Sequence, residues 1–176
     1  MKRNILVFAL IAIFALTLSS CGKKEKTNTE KLCIEKGWVL KAATVTPAVP
    51  VGEGTTNDWF ADYLYDYEQD DIIIFNANGG QTINPGNKTP DEEQDGYIES
   101  KASTWKFNND ETSLEFQIPF FYNLDETPAR TFDPEFETAT ISKLTETELV
   151  LIYNRNINFA KNGVEYTWTL TYAPAK

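Results

Sequence analysis

The sequence predicts an all-β domain, an eight-stranded antiparallel up-and-down barrel with one or two short helices, and three observations carry that expectation. Apolar and polar residues alternate with period two through much of the second half, the pattern of strands with one buried face. Short links with turn chemistry separate the alternating runs, so neighbouring strands are expected to be antiparallel. Eight such strands in chain order close most economically into a barrel, because closure removes unpaired sheet edges. An open β-sandwich of the same meander is the alternative.

The clearest strand places Val164, Tyr166, Trp168, Leu170 and Tyr172 on one face and Glu165, Thr167, Thr169 and Thr171 on the other. Leu114, Phe116, Ile118 and Phe120 alternate in the same way with Ser113, Glu115, Gln117 and Pro119. Trp105 and Phe107 alternate with Thr104 and Lys106. Runs at 38–45, 71–76, 80–84, 136–142 and 148–155 complete the set. Asn76-Ala77-Asn78-Gly79, Asn108-Asn109-Asp110-Glu111, Thr145-Glu146 and Ala160-Lys161-Asn162-Gly163 supply the turns.

A helix is expected after Asp58, which can cap a segment whose Trp59, Phe60, Tyr63, Leu64 and Tyr67 fall at helical spacing. Aspartates at 58, 62 and 66, with Asp70 just beyond, form an acidic stripe. Such a stripe is either the solvated back of an amphipathic helix or a surface for a cation or a basic partner. An outward Trp59 with the Tyr63 and Tyr67 row would favour contact with another protein. A shorter helix is expected over 30–36, stopping at Gly37.

The N-terminus carries a different signal. Lys2 and Arg3 precede an apolar run from Ile5 to Leu18, broken by Thr17 and ending in Ser19 and Ser20. A spanning helix needs about 20 apolar residues, so the run fits a secretory signal peptide better than a permanent membrane helix. The sequence Leu18-Ser19-Ser20-Cys21-Gly22 resembles the lipobox of bacterial lipoproteins. That resemblance implies cleavage before Cys21, attachment of lipid to its thiol, and a cell-envelope location in which the protein is held on a membrane. Gly22, where an aspartate would retain a lipoprotein at the inner membrane, is similar to lipoproteins sent to the outer membrane. The expected organisation is a signal peptide over 1–20, a lipidated tether over 21–30 and one domain over 31–176.

Charge and cysteine content narrow the partners. The chain has 16 basic and 26 acidic residues, and loss of Lys2 and Arg3 with the signal peptide leaves 14 against 26, a net charge of −12. Such a surface repels nucleic-acid phosphates, so no nucleic-acid partner is expected. Lys23, Lys24 and Lys26 in the tether can touch anionic headgroups or serve as a solvated spacer. With Cys21 lipidated, Cys33 is left solitary between Leu32 and Ile34, a small core residue or a reactive thiol.

No catalytic residues are expected. Histidine is absent, which removes His-dependent triads, common zinc sites and the usual neutral-pH acid–base group. Gly52-Glu53-Gly54 lacks the context of a phosphate loop. Carboxylates are abundant, but an acidic chain supplies pairs by chance. No cofactor is expected, with one cation candidate: Asp91, Glu93 and Asp95 lie at positions 1, 3 and 5 of an EF-hand-like calcium loop with Gly96 at position 6. Position 12 is Ala102, where the bidentate glutamate should stand.

Trp38-Val39-Leu40, then Asp70 to Gly79, then Ser103-Thr104-Trp105-Lys106-Phe107 with Thr112-Ser113-Leu114, and Ile141 to Leu151, occur in that order. Together they look like the lipocalin-like domain of many small bacterial lipoproteins, with the likeness running over about 37–172. The resemblance implies a non-enzymatic lipocalin-like barrel. Its aromatic interior, with Trp38, Trp105, Phe107, Phe116, Phe120, Tyr166 and Trp168 as expected lining, can hold a small apolar or amphipathic ligand or be filled by its own side chains. The alternative function is an accessory subunit of an envelope complex that docks a protein partner through an acidic, aromatic face.

Overall fold

The computed structural model of the chain describes residues 24–88, 101–116, 137–156 and 164–176. Within them lie α1 (Asn28–Leu32), β1 (Trp38–Val51), β2 (Gly54–Asp58), α2 (Trp59–Asp62), β3 (Ile72–Phe75), β4 (Gly80–Asn84), β5 (Lys101–Thr104), β6 (Lys106–Phe107), β7 (Ser113–Phe116), β8 (Glu137–Leu144), β9 (Leu149–Asn156) and β10 (Glu165–Pro174). The strands form one antiparallel sheet in the order β5-β4-β3-β1-β10-β9-β8-β7-β6, with β2 paired to β1. It is a nearly closed barrel, not two packed sheets.

Closure depends on a change of partner in the middle of one extended run. Lys101–Thr104 pairs with β4, while Lys106–Phe107 pairs with β7. Trp105 stands between them, its backbone N–H donating to the Gly79 carbonyl at 2.9 Å and its indole N–H to the Asn76 carbonyl at 2.9 Å. The sequence predicts a single strand here, and the run behaves as one strand serving both neighbours. With β5 and β6 taken together and β2 set aside, the wall is the expected eight-stranded meander.

Burial follows the predicted alternation along β10, where Tyr166, Trp168, Leu170 and Tyr172 are buried and the intervening residues are not. In β1 the inward set shifts phase. Trp38 and Leu40 are buried, then Ala43 and Val45, because the register against β10 slips between Leu40 and Ala42. A bulge of this kind lets one strand turn both halves of its apolar pattern inward.

Two strand expectations change. β1 runs past 45 to Val51 and folds back into β2 through Gly52, whose φ of 57° suits the turn. Proline is disfavoured inside a central strand because it cannot donate to the ladder, and this extension contains Pro47 and Pro50. Both are exposed, and pairing with β10 ends at Thr46, so no central ladder needs their missing N–H groups.

The helices also differ from expectation. α1 covers 28–32 in place of 30–36, because Thr27 and Glu30 form a capping box: the Thr27 hydroxyl accepts from the Glu30 N–H at 3.1 Å and the Glu30 carboxylate from the Thr27 N–H at 2.7 Å. It therefore begins inside the expected tether. α2 is one turn long, where the apolar spacing predicts a helix reaching Tyr67. Local side chains end it: the Glu68 carboxylate accepts from the Tyr65 N–H at 2.9 Å, and the Gln69 amide donates to the Leu64 carbonyl at 3.0 Å. Side chain to backbone bonds compete with helical ones, and here they win.

Short turns and the termini of the domain share one end of the barrel, called here the turn end. Each turn is fixed by one side chain. Asn78 Oδ1 accepts from Gly80 N–H at 3.0 Å, Asn108 Oδ1 from Thr112 N–H at 2.8 Å, and Thr145 Oγ1 from Glu148 N–H at 3.0 Å. α1 closes this end through Leu32, which is fully buried and whose carbonyl accepts the Trp38 indole N–H at 2.7 Å. Burial of Leu32 contributes about 1.5–3 kcal/mol and that bond about 1 kcal/mol. The exposed Lys26–Glu146 pair at 3.1 Å adds less, up to about 1 kcal/mol. Gly37 joins both chain ends: its N–H donates to Ile34 O and its carbonyl accepts from Ala175 N–H, each at 3.0 Å. With φ at 73°, and a Cβ that would lie 2.7 Å from Ile72 Cγ2 and Ile73 O, only glycine fits. The opposite, loop end receives the β1–β2 hairpin, α2, the end of β4 and the start of β5, the end of β7 and the start of β8, and the end of β9 and the start of β10.

Trp105→Ala removes the side chain at the closure and is expected to cost about 3–5 kcal/mol in chemical denaturation. Trp105→Phe keeps a ring but removes the indole donor, leaving the Asn76 carbonyl with the Gly79 N–H alone, and is expected to cost about 1 kcal/mol.

Candidate ligand site

The barrel interior holds two aromatic groups. The first lies at the closure, where Trp105 packs edge-to-face on Phe75 at 5.9 Å and on Phe107 at 5.2 Å, and Phe75 meets Phe116 at 5.9 Å. The second lies towards the loop end. Tyr153 and Trp168 are nearly parallel at 6.3 Å, Trp59 meets Trp168 edge-on at 5.2 Å, and Tyr63 stacks on Trp59 at 3.9 Å. Offset and edge-to-face pairs at these separations contribute about 0.5–1.5 kcal/mol each beyond burial.

The expected lining residues are distributed unevenly between these groups. Trp105, Phe107 and Phe116 belong to the first, and Trp168 to the second, with the buried Tyr166 next on the same face of β10. Trp38 joins neither and plugs the turn end against Leu32. Phe120 lies outside the described residues, as do Cys21 and the Asp91, Glu93, Asp95 loop. Ala102 falls in β5, so a strand occupies the place of the helix that follows an EF-hand loop. Among the described residues no group of three or more His, Cys, Asp or Glu side chains is placed to hold a metal.

Sequence patterning missed three interior residues. Phe75 ends Ile72-Ile73-Ile74-Phe75 and Tyr153 ends Leu149-Val150-Leu151-Ile152-Tyr153. Both runs are apolar at every position, so alternation cannot choose their inward phase. Trp59 is the third. The condition for docking through an outward Trp59 is not met: Trp59 is 2% exposed and enters the barrel from α2. The helix turns it inward because Asp58 caps α2 by accepting from Ala61 N–H at 3.1 Å, while the Thr56 hydroxyl donates to Asp62. Tyr65 is the outward aromatic, 42% exposed and stacked parallel on Tyr67 at 5.5 Å.

The interior is not wholly apolar. Tyr172 is 1% exposed, and its hydroxyl has no hydrogen-bond partner among the described residues. Burial holds its phenol above the ordinary range. A buried unsatisfied hydroxyl costs about 1–3 kcal/mol, so Tyr172 is a polar tip in a region where phenylalanine would pack at lower cost. Cys33 is a free, half-buried thiol against the core, and burial raises its pKa as well.

The acidic stripe resolves into separate tasks. Asp58 caps α2, Asp62 accepts from Thr56, and Asp66 lies 3.8 Å from Lys88 on the surface. Asp70 Oδ2 accepts from the backbone N–H groups of Asn87 and Lys88 at 2.8 and 3.1 Å, tying the segment after β4 to the one before β3. Beside it, Asp71 accepts from the Gly86 N–H at 3.4 Å. Burial pushes the Asp71 carboxyl up to about 7, the Gly86 bond opposes that shift, and the charges of Glu68 and Asp70 add to it.

Among the described residues no helix is long and apolar enough to cross a membrane. Comparison with protein-family models, with curated proteins and with solved structures finds no match to this chain.

Asp71 gives a pH signature whose sign follows from its raised pKa. The folded state holds the proton more tightly than the unfolded chain, so this contribution is complete below about 3.8 and is lost as pH rises towards about 7. Asp71→Asn is expected to leave stability at pH 4 nearly unchanged and to raise it by about 1–2 kcal/mol at pH 8, read from urea midpoints of the variant against the parent.

Proposed function

We propose that this chain is a lipid-anchored, non-enzymatic protein of the bacterial cell envelope whose barrel takes up a small apolar or amphipathic molecule. One observation carries the binding reading. The Trp59 indole occupies the interior against Trp168, yet it belongs to a one-turn helix outside the barrel's ladder. α2 is held by a few polar bonds at its rim, each worth about 1 kcal/mol, whereas the wall strands are held by continuous ladders. A flat apolar group that replaces the indole meets Tyr153 and Trp168 and must offset about 2–3 kcal/mol of lost Trp59 burial. The lipobox-like Leu18-Ser19-Ser20-Cys21 supports the anchor, and the Gly22 that follows it supports delivery to the outer membrane.

Tyr65 favours a second reading. Its exposed ring, stacked on Tyr67 beside Asp66, gives the loop end an acidic, aromatic face suited to a basic segment of an envelope protein. In that case Trp59 stays in place and the barrel is a scaffold.

Native mass spectrometry of the acyl-free domain purified from its own envelope separates the two. A small molecule present at one per chain is expected, and Trp59→Ala is expected to bind an apolar fluorescent probe about 30- to 150-fold more tightly, equivalent to the roughly 2–3 kcal/mol of burial removed. Repeated absence of any bound molecule, together with no probe uptake by Trp59→Ala, would sink ligand carriage and leave the docking reading. The anchor has its own check: Cys21→Ala is expected to abolish incorporation of labelled fatty acid and to move the protein from the membrane to the soluble fraction.

A further inference from the structure

The connection between anchor and barrel fixes more than attachment. Resting on the reading of Cys21 as the lipidated residue, we propose that the protein stands on the bilayer by its turn end, with the acidic loop end directed away from the lipid.

The first ground is the path of the chain. Six residue steps separate Cys21 from Thr27, and at most about 3.5 Å per step places the α1 cap within about 20 Å of the lipidated thiol. From Thr27 onwards the chain is docked on the turn end. Leu32 is buried, its carbonyl receives the Trp38 indole, α1 packs on β8, and Lys26 pairs with Glu146 in the β8–β9 turn. Barrel strands tilt by roughly 35–45°, so the ten residues of β10, about 33 Å of strand, make a wall about 23–27 Å tall, and the slack between lipid and barrel does not exceed that height. A barrel on so short a lead cannot readily turn its loop end to the membrane.

The second ground is charge, which is independent of the tether. Residues 24–37 carry four lysines and three glutamates. At the same end Lys143 pairs with Glu148, and with Lys176, Asp110, Glu111 and Glu146 counted as well the turn end carries six lysines against seven carboxylates. The loop end is different. Between Lys41 and Lys88 the chain has no basic residue, and among the described residues at this end Glu53, Asp58, Asp62, Asp66, Glu137 and Glu165 stand against Lys88, Lys101 and Arg155. An anionic headgroup surface repels that end and tolerates the other. The acidity of the mature domain is thus a polarity along the barrel axis, and any ligand or basic partner reaches the loop end from water, not from the bilayer.

The test uses the full acylated chain in vesicles of phosphatidylethanolamine and phosphatidylglycerol. In a Cys33→Ser background, one fluorophore is placed by Asn109→Cys at the turn end and, in a separate variant, by Glu53→Cys at the loop end. Both positions are exposed. Energy transfer to headgroup-labelled lipid is expected to be stronger from 109 than from 53, by about twofold or more, given a height difference comparable to the tilted wall, about 20–25 Å. Equal or reversed transfer from protein that carries the acyl group and floats with the vesicles overturns the orientation and leaves the anchor standing. Protein whose N-terminal peptide shows no diacylglycerol by mass, and which does not float, overturns the anchor and the orientation with it.

Discussion

The barrel depends on a single chain segment satisfying two neighbours at once. If residues 101–107 paired only with β4, β7 would present an open edge, and the aromatic group of Phe75, Phe107 and Phe116 would lose the ring at its centre. Trp105 prevents this with two donors aimed at the same turn, Asn76 O and Gly79 O. The β3–β4 turn is therefore both a hairpin and a clamp on the closing strand. Its own shape rests on Gly79 at φ 85° and on the Asn78 side chain. A large ring placed there seals the seam and fills the interior beside it.

Much of this was legible in the sequence, for identifiable reasons. Strands such as β10, with threonine on one face and aromatics on the other, declare their phase. Turns such as Asn76 to Gly79 declare theirs, because few residues accept such backbone angles. The strand order followed from short links alone. What stayed hidden was non-local or competitive. β2 exists because β1 extends beyond its other partner. α2 stops after one turn because Glu68 and Gln69 offer the backbone alternatives to helix. Trp59 lies inside because the helix is anchored by Asp58 and Asp62, which a pattern of apolar spacing does not register. Of the interior aromatics, those on alternating strands were readable, and those on Ile72 to Phe75 and Leu149 to Tyr153 were not.

The interior and the surface follow different rules. Inside, rings meet both edge-to-face and stacked, and a buried hydroxyl without a partner stands out energetically, as that of Tyr172 does. Outside, the aspartates after β1 act individually as caps, clamps and surface charges, although in sequence they form a regular series. Asp70 and Asp71 matter most to the architecture, since they hold the exit of β4 against the entry to β3 through backbone donors at Gly86, Asn87 and Lys88. The segments flanking β3 and β4 are thereby held by side chain to backbone bonds, where α1 is held on the barrel mainly by the burial of Leu32.

Gly37 receives Ala175, and β1 takes β10 as its main neighbour, so the first strand of the domain finds its longest ladder in the last. Pairing across nearly the whole chain is entropically the slowest step available to it. A chain emerging from its N-terminus holds β1 without that ladder until the final strand appears. The domain therefore stays pliable through its synthesis and locks only when β10 is complete.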